Sequence, residues 1–352
     1  MSRLLDVVGT RTYAEAGVSI EAGDDVVARI KSSVASTHRA EVLGGIGGFG
    51  GLFALDTSKY QEPVLVASAD GIGTKLEVAR RVGRYDTVGI DLVAMLVDDL
   101  VCVGAEPLFM LDYVAVGLVN PEQLEVLVAG IAEGCRQANV ALLGGETAEH
   151  GGVMKPDELD VAGFALGVVE RSKVLGPERV RDGDVLVGFH SPGLRSNGYS
   201  LARDVLVTSD LALSEPAYDG ASRTLGDELL VPSFIYTPCV LALRHELDAG
   251  VHAVAHVTGG GIVGNVKRLL PDPLDAVIDM ESFTTPEIFF EIQRRGPVSA
   301  EEMVRVFNCG LGMVVAVDQS VGEAAVTLAR ANGLEASIVG ALRPGSGEVV
   351  LT

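Results

Sequence analysis

Tryptophan is absent from this 352-residue chain, aromatic residues make up only 5% of it, and cysteine occurs four times. Cys102, Cys135, Cys239 and Cys309 are scattered, without the paired spacing of a zinc site or a disulfide framework, and read as buried thiols of a reducing cytosol. Positive charge is scarce: 27 Lys and Arg against 48 Asp and Glu leave a net charge of −21, a field that repels nucleic acid phosphates. No basic cluster interleaved with aromatics offsets it, which excludes nucleic acid as a partner. Long hydrophobic runs are missing as well. The longest stretch free of Asp, Glu, Lys and Arg, residues 249–266, has about the length of a short membrane span but carries two His and five Gly. The opening Met1-Ser2-Arg3-Leu4-Leu5-Asp6 lacks the apolar region of a secretion signal. A cytoplasmic protein with no membrane partner is expected.

Apolar residues reach 48% and charged residues 21%, enough for a full core. At roughly 100–200 residues per domain, the length predicts two domains. Apolar runs at residues 63–68, 108–116 and 161–169 have strand length. Residues 76–82, 91–103 and 121–138 read as helices, the last opened by Asn120-Pro121. The composition turns polar at Arg171-Ser172-Lys173, which sets an expected boundary between residues 1–170 and 171–352. A strand at 185–190, a turn at 191–197 and a helix at 200–207 restart the pattern. A strand at 251–257, a glycine cluster, a helix to about residue 270 and strands at 311–317 and 337–342 complete it. The fold class is α/β or α+β, in two α/β domains.

The segment 91–103 is apolar nearly all round, as a buried helix is, yet it holds Asp91, Asp98 and Asp99. At 100° per residue, Asp98 falls about 20° and Asp99 about 80° from Asp91. Carboxylates on a buried helix repel one another and are costly to desolvate unless a cation neutralises them. Two readings stand: a helix with one wet face, or a Mg²⁺ site, since that ion takes hard oxygen ligands. Asp70-Gly71-Ile72-Gly73-Thr74-Lys75 supplies an acid, a tight glycine turn and a lysine after a strand, without Walker spacing. Gly144-Gly145-Glu146 sets another acid after an apolar run, where a surface turn is the plainer reading. Gly44-Gly45-Ile46-Gly47-Gly48-Phe49-Gly50-Gly51 can bring backbone close to a ligand and is equally a flexible loop. Thr258-Gly259-Gly260-Gly261 precedes a helix and suits a phosphate; Ser196-Asn197-Gly198 makes the same offer more weakly. His256 shares a strand face with His252 and abuts the second cluster, a position for acid–base work. Lys31 ends a helix-like segment at 24–31 and offers a cation or only a solvated end charge.

Together these residues resemble the phosphoribosylformylglycinamidine cyclo-ligase (aminoimidazole ribonucleotide synthetase) family, from Tyr13 to about Val317. In the first half the resemblance rests on Ala16-Gly17-Val18, Gly47-Gly48-Phe49, Ser68-Ala69-Asp70-Gly71-Ile72-Gly73-Thr74-Lys75-Leu76, Asp91-Leu92-Val93-Ala94-Met95, Gly104-Ala105-Glu106-Pro107-Leu108-Phe109 and Gly144-Gly145-Glu146-Thr147-Ala148-Glu149. In the second half it rests on Ser196-Asn197-Gly198-Tyr199-Ser200-Leu201, His256-Val257-Thr258-Gly259-Gly260-Gly261 and Phe307-Asn308-Cys309-Gly310. It implies an N-terminal ATP-binding domain that dimerises through a shared β-barrel, a C-terminal α/β domain, and a homodimer acting on a small phosphoribosyl amidine. ATP would phosphorylate the formyl amide oxygen of formylglycinamidine ribonucleotide, and the amidine nitrogen would displace phosphate to close the imidazole. Carried over residue by residue, Asp70, Asp91, Asp99 and Glu146 would hold Mg²⁺. Lys31, Gly47, Gly48, Phe49, Asp70, Lys75, Asp91 and Glu146 would bind ATP. Ser196, Asn197, Gly198, Thr258, Gly259, Gly260 and Gly261 would face the substrate, and His256, Lys31 and Arg195 form the implied catalytic set. Beside ATP and Mg²⁺, K⁺ is a further candidate cofactor.

Members of the family usually carry His at the position of Arg195, Asn at Asp98, Lys at Ala14, Asp at Ser19, Thr-Arg at Ser233-Phe234 and Trp at Phe283. Asp98 adds a carboxylate on the ATP side; Arg195, Ala14, Ser19 and Phe234 concern the substrate side. Arg195 is expected to replace the cation missing at Phe234. A guanidinium does not deprotonate in proteins, so His256 becomes the candidate general base. Two other readings remain open: a paralogous kinase or cyclo-ligase of the wider superfamily acting on a related amidine, and a nucleotide-binding protein without activity.

Overall fold

The structure, a computed structural model, describes residues 12–352, so the opening Met1-Ser2-Arg3-Leu4-Leu5-Asp6 lies outside the described residues. Helix α1 (Ile20–Ala35) comes first, capped by Ser19, whose Oγ accepts from the Ala22 N–H at 3.1 Å. Strands β1 (Val42–Leu43) and β2 (Leu52–Phe53) pair antiparallel around the first glycine cluster. Then follow β3 (Pro63–Gly71), α2 (Lys75–Val82), α3 (Val88–Cys102), β4 (Glu106–Val116), α4 (Pro121–Ala138), β5 (Ala141–Glu149) and β6 (Leu159–Glu170). Pro121 opens α4 behind Asn120, whose Oδ1 accepts from the Gln123 N–H, and Asn139 ends it at φ +52°.

The four long strands order as β3-β6-β4-β5, with only β4 and β5 parallel. Asp70, Gly163, Asp112 and Gly145 lie in one row across this sheet, and Gly71, Ala162, Tyr113 and Glu146 in the next. Adjacent rows point to opposite faces. The Asp70 row faces α3: a Cβ on Gly163 would meet the Leu96 side chain at 2.6 Å. The Glu146 row shares its face with Leu65, Leu111, Tyr113 and Phe164, all of them exposed.

The second half contains β7 (Val185–His190), α5 (Tyr199–Leu206), α6 (Leu225–Leu229), α7 (Thr237–Leu247), β8 (Val251–His256), α8 (Gly261–Val266), β9 (Leu274–Ile278), α9 (Glu287–Arg295), α10 (Ala300–Val306), β10 (Leu311–Val317), α11 (Gly322–Ala331), β11 (Ala336–Pro344) and β12 (Val349–Leu351). Its sheet runs β12-β9-β11-β7-β10-β8, antiparallel except for β12 on β9. Strands and helices thus alternate through both halves, as expected, while the pairing is mostly antiparallel, the α+β form of that expectation. All four cysteines are free thiols. No helix among the described residues is long and apolar enough to cross a membrane.

Candidate active site

Two loops from opposite halves meet. The turn after β3 and the turn before α5 are tied by Ser196 Oγ donating to Ile72 O at 2.7 Å, by Lys75 Nζ donating to Arg195 O at 2.9 Å, and by a 3.3 Å contact between the Thr74 and Ser200 hydroxyls. Glycine is needed at Gly198, where φ is +76° and a Cβ would stand 2.3 Å from the Phe307 ring. Asn308 supports the same turn, its Nδ2 donating to Gly193 O at 2.9 Å. This accounts physically for Phe307-Asn308: it packs behind the turn.

Helix α3 crosses behind both loops, and its acids are neutralised by protein groups. Lys75 Nζ lies 2.6 Å from Asp91 Oδ2, and both side chains are fully buried. Asp91 Oδ1 accepts from the Ser233 N–H at 2.9 Å and its hydroxyl at 2.6 Å. Seven residues on, Asp98 Oδ1 accepts from the Tyr236 and Thr237 N–H groups and the Thr237 hydroxyl, each at 2.9 Å. Asp98 Oδ2 accepts from Arg195 Nη2 at 2.9 Å, and the guanidinium carbon sits 4.5 Å from the centre of the Tyr236 ring. Burial pulls the Lys75 ammonium below its ordinary value, and Asp91 opposes that shift.

Asp99 points elsewhere. Its side chain is half exposed, and Oδ1 lies 2.9 Å from Nδ1 of His256, whose own side chain is only 2% exposed. His256 Nε2 is buried without a hydrogen-bond partner and stands 4.0 Å from Asp98 Oδ2. Asp70 belongs to this group: partial burial first, then the Asp99 charge, holds its carboxyl above the ordinary range, against the Gly71 N–H. Asp99 and His256 line a cleft between β3 and β8 of about 520 Å³, together with Val66–Ala69, Ala253–Ala255, Asn265 and Arg268 among others; Asp70 is the next residue in the chain after Ala69. That volume suits a small-molecule ligand. Asn197 Oδ1, on the joined turns, is also buried and unpartnered.

Comparison with known proteins fits this arrangement. Profiles of the AIR synthase related proteins match residues 55–169 with the N-terminal domain and 181–351 with the C-terminal domain. A phosphoribosylformylglycinamidine cyclo-ligase from Anaeromyxobacter sp. (strain Fw109-5) is 53% identical over 96% of this chain and 97% of its own length. One from Carboxydothermus hydrogenoformans is 47% identical over 97% and 98%. The chain belongs to this family. It is a family of ligases that form a carbon–nitrogen bond in purine biosynthesis. The fold is shared more widely. The thiamine-monophosphate kinase of Stenotrophomonas maltophilia K279a superposes with a TM-score of 0.67 at 20% identity, covering 93% of this chain and 95% of that one. The hydrogenase maturation protein HypE in complex with ATP gives 0.65 at 15%, covering 92% and 90%.

The structure places the residues expected to act in several different surroundings. Asp70, Asp91, Asp99 and Glu146 do not converge. Asp91 is sealed against Lys75 and Ser233, Glu146 lies on the opposite sheet face, and of the four only Asp99 lines the cleft. No group of three or more His, Cys, Asp or Glu among the described residues could hold a metal. Lys75, taken as a phosphate contact, spends its ammonium on Asp91, Arg195 O and Val231 O. Arg195 does not stand in for a cation at Phe234: its side chain is 1% exposed and paired with Asp98, whereas Phe234 meets Tyr236 edge-on from outside at 6.5 Å. Two departures from the family, Arg195 and Asp98, therefore compensate each other.

Lys31 is exposed on α1, which packs on α4 and β5, and does not line the cleft. Gly47, Gly48 and Phe49 lie in the exposed β1–β2 loop. Thr258, Gly259, Gly260 and Gly261 follow His256, and Asn265 Nδ2 donates to the carbonyl of Gly261 at 2.8 Å. At Gly261, φ is +62° and a Cβ would stand 2.0 Å from Val304 O, so packing against α10 requires that glycine. Helix α8 behind it has only six residues. Tyr236, Asn265 and Arg268 were not singled out from the sequence, and Ser233 only as half of the Ser233-Phe234 departure. They lie outside recognisable motifs, and only the partner each meets gives it meaning.

Proposed function

We propose that this chain converts formylglycinamidine ribonucleotide to aminoimidazole ribonucleotide with ATP, releasing ADP and phosphate. The observation that carries this reading is the junction of the Asp70–Lys75 and Arg195–Ser200 turns beside the His256–Asp99 pair. It sets a nucleotide-type loop of the first half, residues 1–170, against a substrate-side loop of the second, residues 171–352. Family membership, at 53% identity to a named cyclo-ligase, supports it.

The amide oxygen is a poor leaving group, so it takes the γ-phosphoryl group first; the amidine nitrogen then attacks that carbon, the C–O bond breaks, and phosphate departs. With its Nδ1–H donated to Asp99, His256 keeps a lone pair at Nε2 and accepts the proton lost by the attacking nitrogen. Asn197 Oδ1 and the Gly198 turn orient the substrate. Asp70 and Asp99 fit a magnesium–nucleotide complex, because Mg²⁺ uses one or two carboxylates together with phosphate oxygens rather than a cage of protein ligands. When bound, the ion neutralises charge on the transferred group.

A homodimer joined through the first sheet is part of the proposal. It is supported by the exposed apolar face of Leu65, Leu111, Tyr113 and Phe164, at 58%, 36%, 43% and 41% exposure. The cytoplasm is the proposed compartment. Purified protein with ATP, Mg²⁺ and formylglycinamidine ribonucleotide, with and without K⁺, should give ADP and the imidazole in equal amounts. ADP formed only with another amidine would move the chain to a related reaction, and nucleotide binding without turnover would make it a non-catalytic binder. His256→Ala should lower turnover about a hundredfold with substrate affinity retained; unchanged turnover removes His256 from the mechanism.

A further inference from the structure

We propose that Arg268 is the cation that recognises the phosphate monoester of the ribonucleotide, at the end of the cleft away from the reacting atoms. The proposal rests on the functional reading above and names a residue that the sequence motifs do not reach. A phosphate dianion approaching a chain of net charge −21 needs a local cation. Among the described residues, Arg268 is the only Lys or Arg lining the cleft between β3 and β8. It is exposed and has no ion-pair partner among the described residues. Other cations are committed: the adjacent Lys267 pairs through Nζ with Glu348 at 2.9 Å, and Arg195 is buried against Asp98.

The side chain is carried on a firm base. Arg268 sits in the single turn Lys267–Leu269 that continues α8, between buried Leu269 and the Asn265 amide that holds the glycine loop. Cys102, on the α3 wall, lines the same cleft as Arg268. A guanidinium presents a planar fork that matches two phosphate oxygens, which an ammonium cannot do. Asp99, which lines the same cleft beside His256, repels a phosphate. Charge alone then fixes polarity: phosphate toward Arg268, the amidine toward His256 and Asp99.

Arg268→Met and Arg268→Lys test this, with steady-state kinetics at saturating ATP and calorimetric titration with ribose 5-phosphate. Arg268→Met should raise KM for the ribonucleotide about thirtyfold, with Arg268→Lys recovering part of the loss. KM for ATP and kcat/KM for the dephosphorylated nucleoside should stay within about twofold, and ribose 5-phosphate binding should be lost in the Met variant. A ribonucleotide KM within about threefold of the parent overturns the proposal, as does a shift confined to ATP, which would place a triphosphate there. Equal losses on ribonucleotide and nucleoside would mean a structural role and also overturn it. Should the parent protein bind ribose 5-phosphate through Arg268 yet fail to turn over the ribonucleotide, the functional reading falls and the phosphate site stands. Absence of ribose 5-phosphate binding by the parent counts against the site.

Discussion

Asp98 and Arg195 are each costly alone. A carboxylate and a guanidinium, both at most 1% exposed, are accommodated in the core because each answers the other and because two backbone amides and a hydroxyl complete the carboxylate. Asp98→Ala leaves the guanidinium unanswered and should lower unfolding stability by about 3–5 kcal/mol. The double change Arg195→His with Asp98→Asn removes both charges together and should cost clearly less. Urea unfolding of the two variants decides it, and equal losses would mean that the charges are not coupled. A second residue-scale case is Asp112. Its carboxyl lies over Gly145, where a Cβ would stand 1.5 Å from Oδ1, and burial pushes its pKa up to about 7. The folded chain then holds a proton that the unfolded chain has released, so stability falls as pH rises from the unfolded carboxyl range to about 7 and levels off above it. Asp112→Asn should stabilise the protein by on the order of 2 kcal/mol at pH 8 and leave it unchanged near pH 4. Parallel melts at the two pH values read this directly; the same shift at both would show that titration is not the cause.

Among the elements, α3 carries the most. Asp91 holds Ser233 and Asp98 holds Tyr236 and Thr237, so two acids seven residues apart pin one segment of the second half along one helix face. Its other face lies against α4 through glycine: a Cβ on Gly89 would stand 2.3 Å from Ile131 N, and one on Gly130 2.2 Å from Asp86 O. Backbone cannot yield there as a side chain could, so Gly130→Ala should cost about 2–3 kcal/mol, seen as a lowered melting temperature. A fully tolerated alanine would mean that the helices can separate. The burial of α3 and its conflict with its own acids were readable in the sequence, since an apolar helix with three Asp demands neutralisation. What neutralises them was not readable, because Lys75, Ser233 and Arg195 are brought in by tertiary folding from 16 to 142 residues away. The long strands were legible as apolar runs, and α4 from its caps. By contrast α6 and α10, of five and seven residues, span too few turns to show a period. Glu146 was read as a turn residue yet lies inside β5, because the glycine pair before it accompanies a register shift rather than a chain reversal.

For the whole molecule the open question is what covers the first sheet. One face is buried under α3 and α4; the other shows Leu65, Leu111, Tyr113 and Phe164, with Leu111 and Phe164 in one row and Tyr113 two rows on. A four-stranded sheet with one bare apolar face is an incomplete layer, and a second copy brought face to face would complete it with the same side chains on both sides. Glu146 stands in the Tyr113 row, so association would bury a carboxylate or place it at the rim. Such an interface tolerates no added charge at its centre. Phe164→Glu combined with Leu111→Glu sets four new carboxylates against one another across a two-fold axis and should convert the dimer to a monomer, measured by light scattering on a sizing column. Neither residue belongs to the clamp on α3, so the variant should keep its circular dichroism spectrum. A parent protein that is already monomeric at micromolar concentration, or a double variant that still dimerises, would show that this face is not where the copies meet.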